Sequence, residues 1–157
     1  MKPFAESSEQ NKRVILEVLR SEFAEAGSVL EIGSGTGQHA VFFAEAMPWL
    51  AWHASDTAEN LAGIQLWLDD YRGNNLRGPL LLDVRQDGWP VSHVDAVFSA
   101  NTAHIMDWPA VEAMFAGVGR VLGKQGIFCL YGPFNYHGNY TSDSNARFDA
   151  WLRARGW

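Results

Sequence analysis

Apolar positions fall alternately into short continuous runs and into stripes at helical spacing. Behind Ser7 and Gln10, which have capping-box spacing, Ile15, Val18, Leu19 and Phe23 recur at helical intervals; a helix is predicted there, closed by Gly27. "SVLEI" reads as a short buried strand, and a glycine-rich turn leads from it into a helix over "HAVFFAEAM", stopped by Pro48. "LAWHAS" is the next strand and ends at Asp56. Leu61, Ile64 and Leu68 mark a helix closed by "RGNN". "GPLLLD" and "VDAVFSAN" are the third and fourth strands. "PAVEAMFAGVGRVLG" is a helix, "GIFCLYG" a fifth strand, and "NYTSDSNARFDAWLRARGW" begins polar and is expected to end in a helix. Strand and helix alternate throughout, which builds an α/β domain: a doubly wound, mostly parallel sheet covered on both faces, with ligands gathering at the carboxyl ends of the strands.

The 157 residues suit one domain, expected to span 1–157. The formal charge of −6, without a run of Lys or Arg, argues against a nucleic-acid backbone or an anionic membrane as partner. No apolar run reaches the roughly 18–20 residues of a membrane span. The single cysteine, Cys129, excludes an internal disulfide and sits in an apolar run, so a buried thiol and a reducing cytoplasm are expected. Five histidines show no close-spaced ligand pair, and one cysteine cannot build a thiolate zinc cluster, so no metal is expected.

The chemistry concentrates in "VLEIGSGTGQHA". Gly33, Gly35 and Gly37 bare the backbone between a strand and a helix, where N–H groups can meet a phosphate, a carboxylate or a ribose. Counted from Gly35 the run matches G-x-G-x-x-A. Counted from Gly33, directly after the strand, the sixth position is Gln38, which departs from the dinucleotide pattern. Glu31 lies inside the strand, where a carboxylate is costly unless paired. It either faces a cationic ligand or pairs with a local basic side chain or water. Asp56, about 20 residues past the glycines, can accept from ribose hydroxyls, or cap the next helix with Glu59 at N3. Asp83 can accept from an adenine amino group or close a turn. The acids thus follow three successive strands beside one glycine turn.

"VLEIGSGTG", Asp56 after "WHAS", and "LLLDV" resemble the first three motifs of class I S-adenosylmethionine-dependent methyltransferases, over roughly Val29 to Pro133. More narrowly, "NKRVIL", "GSGTGQHA", "SANTAHI" and "YGPFNYHGNYTSDSNARFDAWL" resemble the small methyltransferase-like family DUF938. The resemblance implies a Rossmann-like sheet of order 3-2-1-4-5 and S-adenosylmethionine as cofactor. It implies that Glu31 with Gly33, Gly35 and Gly37 holds the methionine moiety, Asp56 the ribose, and Asp83 with Val84 the adenine. It also implies two further strands, one antiparallel, after the fifth. Because the chain stops at Trp157, a C-terminal truncation is expected, along with a bare fifth-strand edge able to form a homodimer.

The acceptor is expected to be a small molecule. Asn101 and His104 in "SANTAHIMDWP", and Tyr131 in "YGPFNYHGNYTS", are the substrate-side candidates, with Tyr136, His137 and Tyr140 as further pocket residues. Each has a structural alternative: His104 bonded to a neighbouring loop, Asn101 satisfying strand-end backbone groups, and the tyrosines and His137 carried by a tightly packed loop. Asp107 before "WP" reads as a helix start. Two rival functions remain: a non-catalytic module that binds the same nucleoside, and a nicotinamide-dependent oxidoreductase, which Glu31 and the glycine count disfavour.

Overall fold

The computed structural model describes residues 2–100, 106–132 and 150–155. α1 (Glu6–Glu22) precedes β1 (Ser28–Ile32), α2 (Gln38–Ala46), β2 (Ala51–Asp56), α3 (Ala58–Asp69) and β3 (Leu76–Leu81). β4 (Val94–Ala100), α4 (Trp108–Val121), β5 (Leu122–Gly132) and β6 (Ala150–Arg155) follow. The sheet order is β3-β2-β1-β4-β5-β6. The first five strands are parallel, and β6 pairs antiparallel with β5. This is the Rossmann-like arrangement anticipated from the motifs, with the strand order reversing between β1 and β4.

Alternation along the strands divides the core. Val29, Trp52, Ala54, Ala96, Phe98 and Cys129 pack on one face under α1, α2 and α3. Leu30, Ile32, Val97, Phe128 and Leu130 pack on the other, under α4. Central strands buried on both faces read as continuous apolar runs, which is why the sequence marked them well.

Three local expectations are corrected. α1 begins at Glu6 with Ala5 as N-cap and no side-chain cap, so Ser7 and Gln10 form no capping box; Glu6 and Glu9 instead place acids in the first turn, where the helix dipole favours them. The cap of α3 is Thr57, without a side-chain bond, so Asp56 is the last residue of β2 and not a cap. The expected C-terminal helix is β6, and β5 is therefore not an edge. "AWLRAR" alternates Leu152 and Ala154 with Trp151, Arg153 and Arg155, a period of two that suits a strand. The bare edge invoked for a homodimer is filled by the chain's own residues. Asp107 does start α4: its carboxylate accepts from Ala110 N–H at 3.0 Å.

No helix among the described residues is long and apolar enough to cross a membrane.

Candidate functional site

At the carboxyl end of β1, the chain turns through Gly33, Ser34, Gly35 and Thr36 into α2. Gly35 has φ +63°, and a Cβ there would meet nothing within 4 Å, so its backbone faces open space. Gly37 differs. Its φ is +99°, and a Cβ would lie 3.1 Å from Trp67 Cβ and 3.3 Å from Ile64 Cα. It lets α2 start tight against α3.

The turn is fastened to β2 by serines. Ser34 N–H donates to Ser55 O at 2.8 Å, Ser55 N–H donates to Ser34 Oγ at 3.0 Å, and Ser55 Oγ donates to Glu31 O. On the far side, Ser99 Oγ donates to Ile32 O at 2.8 Å. Glu31 lies beneath the turn and is 1% exposed. Its Oε1 accepts from Ser34 Oγ at 2.8 Å and from Trp52 Nε1 at 3.1 Å, so neither partner is basic. Burial, with a lesser contribution from the Asp56 carboxylate, outweighs these bonds and pushes its carboxyl up to about 7.

Two adjoining clefts open above. One, of about 500 Å³, is lined by Gly33, Ser34, Gly35, His39 and Asp56, and by Pro3, Ala5 and Ser8 from the N-terminal segment. The other, of about 250 Å³, is lined by Ile32, Asp56, Leu82, Asp83, Val84 and Met106. They share Gly33, Asp56, Glu59 and Asn60. Asp56 is the hinge of the site. Its Oδ2 accepts from Gly35 N–H at 2.8 Å and its Oδ1 from Thr57 N–H at 2.7 Å. Oδ1 also accepts from Thr57 Oγ at 3.3 Å, so Oδ2 is the oxygen that keeps a further lone pair for a ligand hydroxyl. Asp83 Oδ1 accepts from Arg85 N–H at 3.0 Å while also lining the second cleft, so its turn and site positions coexist.

The geometry therefore brings together Gly33, Gly35, Asp56, Asp83 and Val84, with Glu31 directly below. It does not bring in Gly37, which lines neither cleft and serves helix packing. Tyr131 also moves: it is 5% exposed in the core face shared with Cys129 and Phe98, because the strand alternation that buries Cys129 carries it inward. Asn101, His104, Tyr136, His137 and Tyr140 lie outside the described residues. Among the described residues, no group of three or more His, Cys, Asp or Glu could hold a metal ion.

Sequence reasoning missed Ser34, Ser55, Trp52 and His39. The serines interrupt apolar strand ends, which is a legible signal for bonds to neighbouring backbone. His39 is buried in the first turn of α2, with Nε2 3.0 Å from Asn11 Oδ1 and 3.3 Å from Ser8 O. Burial drives its pKa down to about 4, so the ring is neutral and Nε2–H donates to α1.

A family described as "Protein of unknown function (DUF938)" matches residues 2–156. The chain belongs to that family. Solved structures share the fold of this DUF938 chain. The S-adenosylmethionine-dependent methyltransferase SibL, in its apo form, has TM-score 0.72 at 20% identity, covering 82% of this chain and 37% of SibL. An O-methyltransferase family protein from Burkholderia thailandensis has TM-score 0.74 at 14% identity, covering 87% and 41%. CalS10 from Micromonospora echinaspora, an amino pentose methyltransferase solved with S-adenosylmethionine bound, has TM-score 0.61 at 23% identity, covering 77% and 49%. The DUF938 chain spans less than half the length of each of these three proteins.

Proposed function

We propose that the chain binds S-adenosylmethionine across the carboxyl ends of β1, β2 and β3 and directs its methyl group to a small-molecule acceptor. The observation that carries this reading is the pair of joined clefts that meet at Asp56, one floored by the bare glycine turn and the other walled by Ile32, Leu82 and Val84. A nucleoside joined to an amino acid has that division, with a polar charged end and a flat apolar base. In this reading the N–H groups of the turn and the field of Glu31 hold the methionine end. Asp56 accepts from the ribose hydroxyls. Asp83 accepts from the adenine amino group, with Leu82 and Val84 against the ring. When bound, the cofactor supplies a methyl group on a sulfonium, an electrophile that needs a nucleophile in line. The chain's work is then positioning and exclusion of water, which contributes several kcal/mol on the usual scale of about 7–11 kcal/mol for well-oriented reactants. Asn101 and His104 follow β4 and are the acceptor-side candidates. The named activities of the fold neighbours support this reading, as does the Glu31 carboxyl under the turn, which opposes a pyrophosphate. One buried cysteine outside any disulfide suits a cytoplasmic setting.

A second reading, a module that binds the nucleoside without transferring methyl, is favoured by the core placement of Tyr131, which removes one substrate-side candidate. Calorimetric titration with S-adenosylhomocysteine and with NAD tests the shared part of both readings. Binding of the homocysteine product in preference to NAD is expected, and the reverse preference overturns them. Methyl release across an acceptor panel then separates enzyme from module.

A further inference from the structure

Gln38 occupies the sixth position of the glycine turn and is 3% exposed. A buried primary amide is costly unless its groups are bonded. Here the side chain is engaged at both ends. Its Oε1 accepts from Ala5 N–H at 2.6 Å and from Thr36 Oγ at 2.8 Å. Its Nε2 donates to Glu9 Oε2 at 3.1 Å. One side chain therefore joins the glycine turn, the N-cap residue of α1 and the first turn of α1. Lys12 and the Gln38 amide beside Glu9 hold that carboxyl below the usual range, so it is a charged acceptor.

Two neighbours repeat the tie. His39 reaches Ser8 O and Asn11 Oδ1 from the next position of α2. On α3, Trp67 Nε1 donates to Pro3 O at 2.7 Å, and Lys2 sits 2.8 Å from Asp70 and 4.2 Å above the Trp67 ring. The segment so held is the one whose Pro3, Ala5 and Ser8 wall the larger cleft. That wall has no covalent or sheet connection to the turn. It is held by these bonds, by Pro3 packed over Gly63 and by its continuity with α1, and the bonds to Gln38 and His39 start from the helix that the turn begins.

We propose that Gln38 is the latch of a removable wall: it couples docking of residues 2–9 to ligand occupancy of the cleft over the glycine turn. The inference rests on the cofactor reading above. A ligand seated on the turn fixes the start of α2 and with it Gln38. By reciprocity, a docked wall raises ligand affinity by the same factor that the ligand raises docking, about tenfold on the usual scale of such couplings. Gln38 touches no ligand in this scheme; it is a positioning residue.

The test uses the full chain and S-adenosylhomocysteine. Gln38→Glu sets a carboxylate against Glu9 and breaks the latch. Gln38→Glu combined with Glu9→Gln exchanges donor and acceptor and rebuilds it. Hydrogen exchange at residues 4–9 and calorimetric affinity are read for the wild type, both variants and Trp67→Phe, which cuts the second tie. In the wild type, ligand slows exchange at residues 4–9. Gln38→Glu speeds that exchange, spares the amides of β1 and β4, and weakens binding about tenfold; the double variant restores both. Trp67→Phe speeds exchange at the same residues. If Gln38→Glu binds the ligand as tightly as the wild type, or the exchanged pair restores neither property, the inference falls and the cofactor reading stands. If the wild type does not bind the ligand, the cofactor reading falls and takes the inference with it.

Discussion

The indole N–H of Trp52 donates to Glu31 Oε1 at 3.1 Å, joining two adjacent parallel strands beneath the glycine turn. A carboxylate so placed is out of water, and its charge is compensated only by neutral donors. In the first turn of α2 sits His39, also buried and also disfavoured in its charged form.

These two groups give opposing pH dependences. Glu31 is raised from 4.5 to about 7 in the folded chain. The folded state then holds its proton longer than the unfolded state, so the stability it contributes is complete below about 4.5 and is lost as pH rises through 7. His39 is lowered from 6.5 to about 4. Its contribution is complete above 6.5 and is lost as pH falls through 4. Each displacement corresponds to about 3 kcal/mol. The two nearly cancel between pH 4.5 and 6.5. Glu31→Gln is expected to unmask a rise in stability with pH, and His39→Gln a fall. Urea unfolding at stepped pH, with each variant referred to the wild type, reads the difference. Parallel profiles for wild type and Glu31→Gln would show that Glu31 is already ionised across this range.

Asp56 joins the site to the fold through Gly35 N–H and Thr57 N–H. Asp56→Asn keeps the volume but loses the charge and half of the acceptor capacity. Hydrogen bonds to a charged group contribute about 1.5–3 kcal/mol each. A loss of tenfold or more in S-adenosylhomocysteine affinity is expected by calorimetry, with a smaller fall in melting temperature. Unchanged affinity would remove the ribose role from Asp56.

The glycines separate ligand approach from packing. Gly37→Ala meets Trp67 Cβ and Ile64 Cα in a left-handed conformation, so it is expected to destabilise by about 2 kcal/mol. Gly35→Ala has the same backbone penalty but open space around it, so about 1 kcal/mol is expected. Ligand affinity should order the other way, because only Gly35 lines the cleft. Thermal melts and titrations on both variants decide it.

The sheet was legible because central parallel strands leave long apolar runs punctuated by helices, and Glu31 and Asp56 stood out against those runs. The site was legible wherever a residue type had one strong reason to be there. The packing role of Gly37 was hidden because a glycine in a turn can serve a neighbouring helix as well as a ligand. The burial of Tyr131 was hidden because strand parity, which one sequence does not register across a sheet, turns it into the core. Gln38 was seen only as a departure from a pattern, since its partners Ala5 and Glu9 lie 33 and 29 positions away.

The C-terminal strand was the element hidden most completely. Six residues with two arginines carry a weak local preference, and the decisive partner is the edge of β5. Residues 150 to 155 pair with Gly132 back to Ile127, Leu152 opposite Leu130. In such a strand, successive N–H groups point alternately toward the partner and away. Proline removes an N–H, so Leu152→Pro and Arg153→Pro should differ sharply, one costing a ladder bond and the other sparing it. In a helix both would be severe, at about 3 kcal/mol or more each. The damaging variant should also bare β5 and promote self-association, since an unpaired strand recruits another chain. Sedimentation and urea unfolding of the two variants give the comparison. Equal, large losses would restore the helix expected from the sequence.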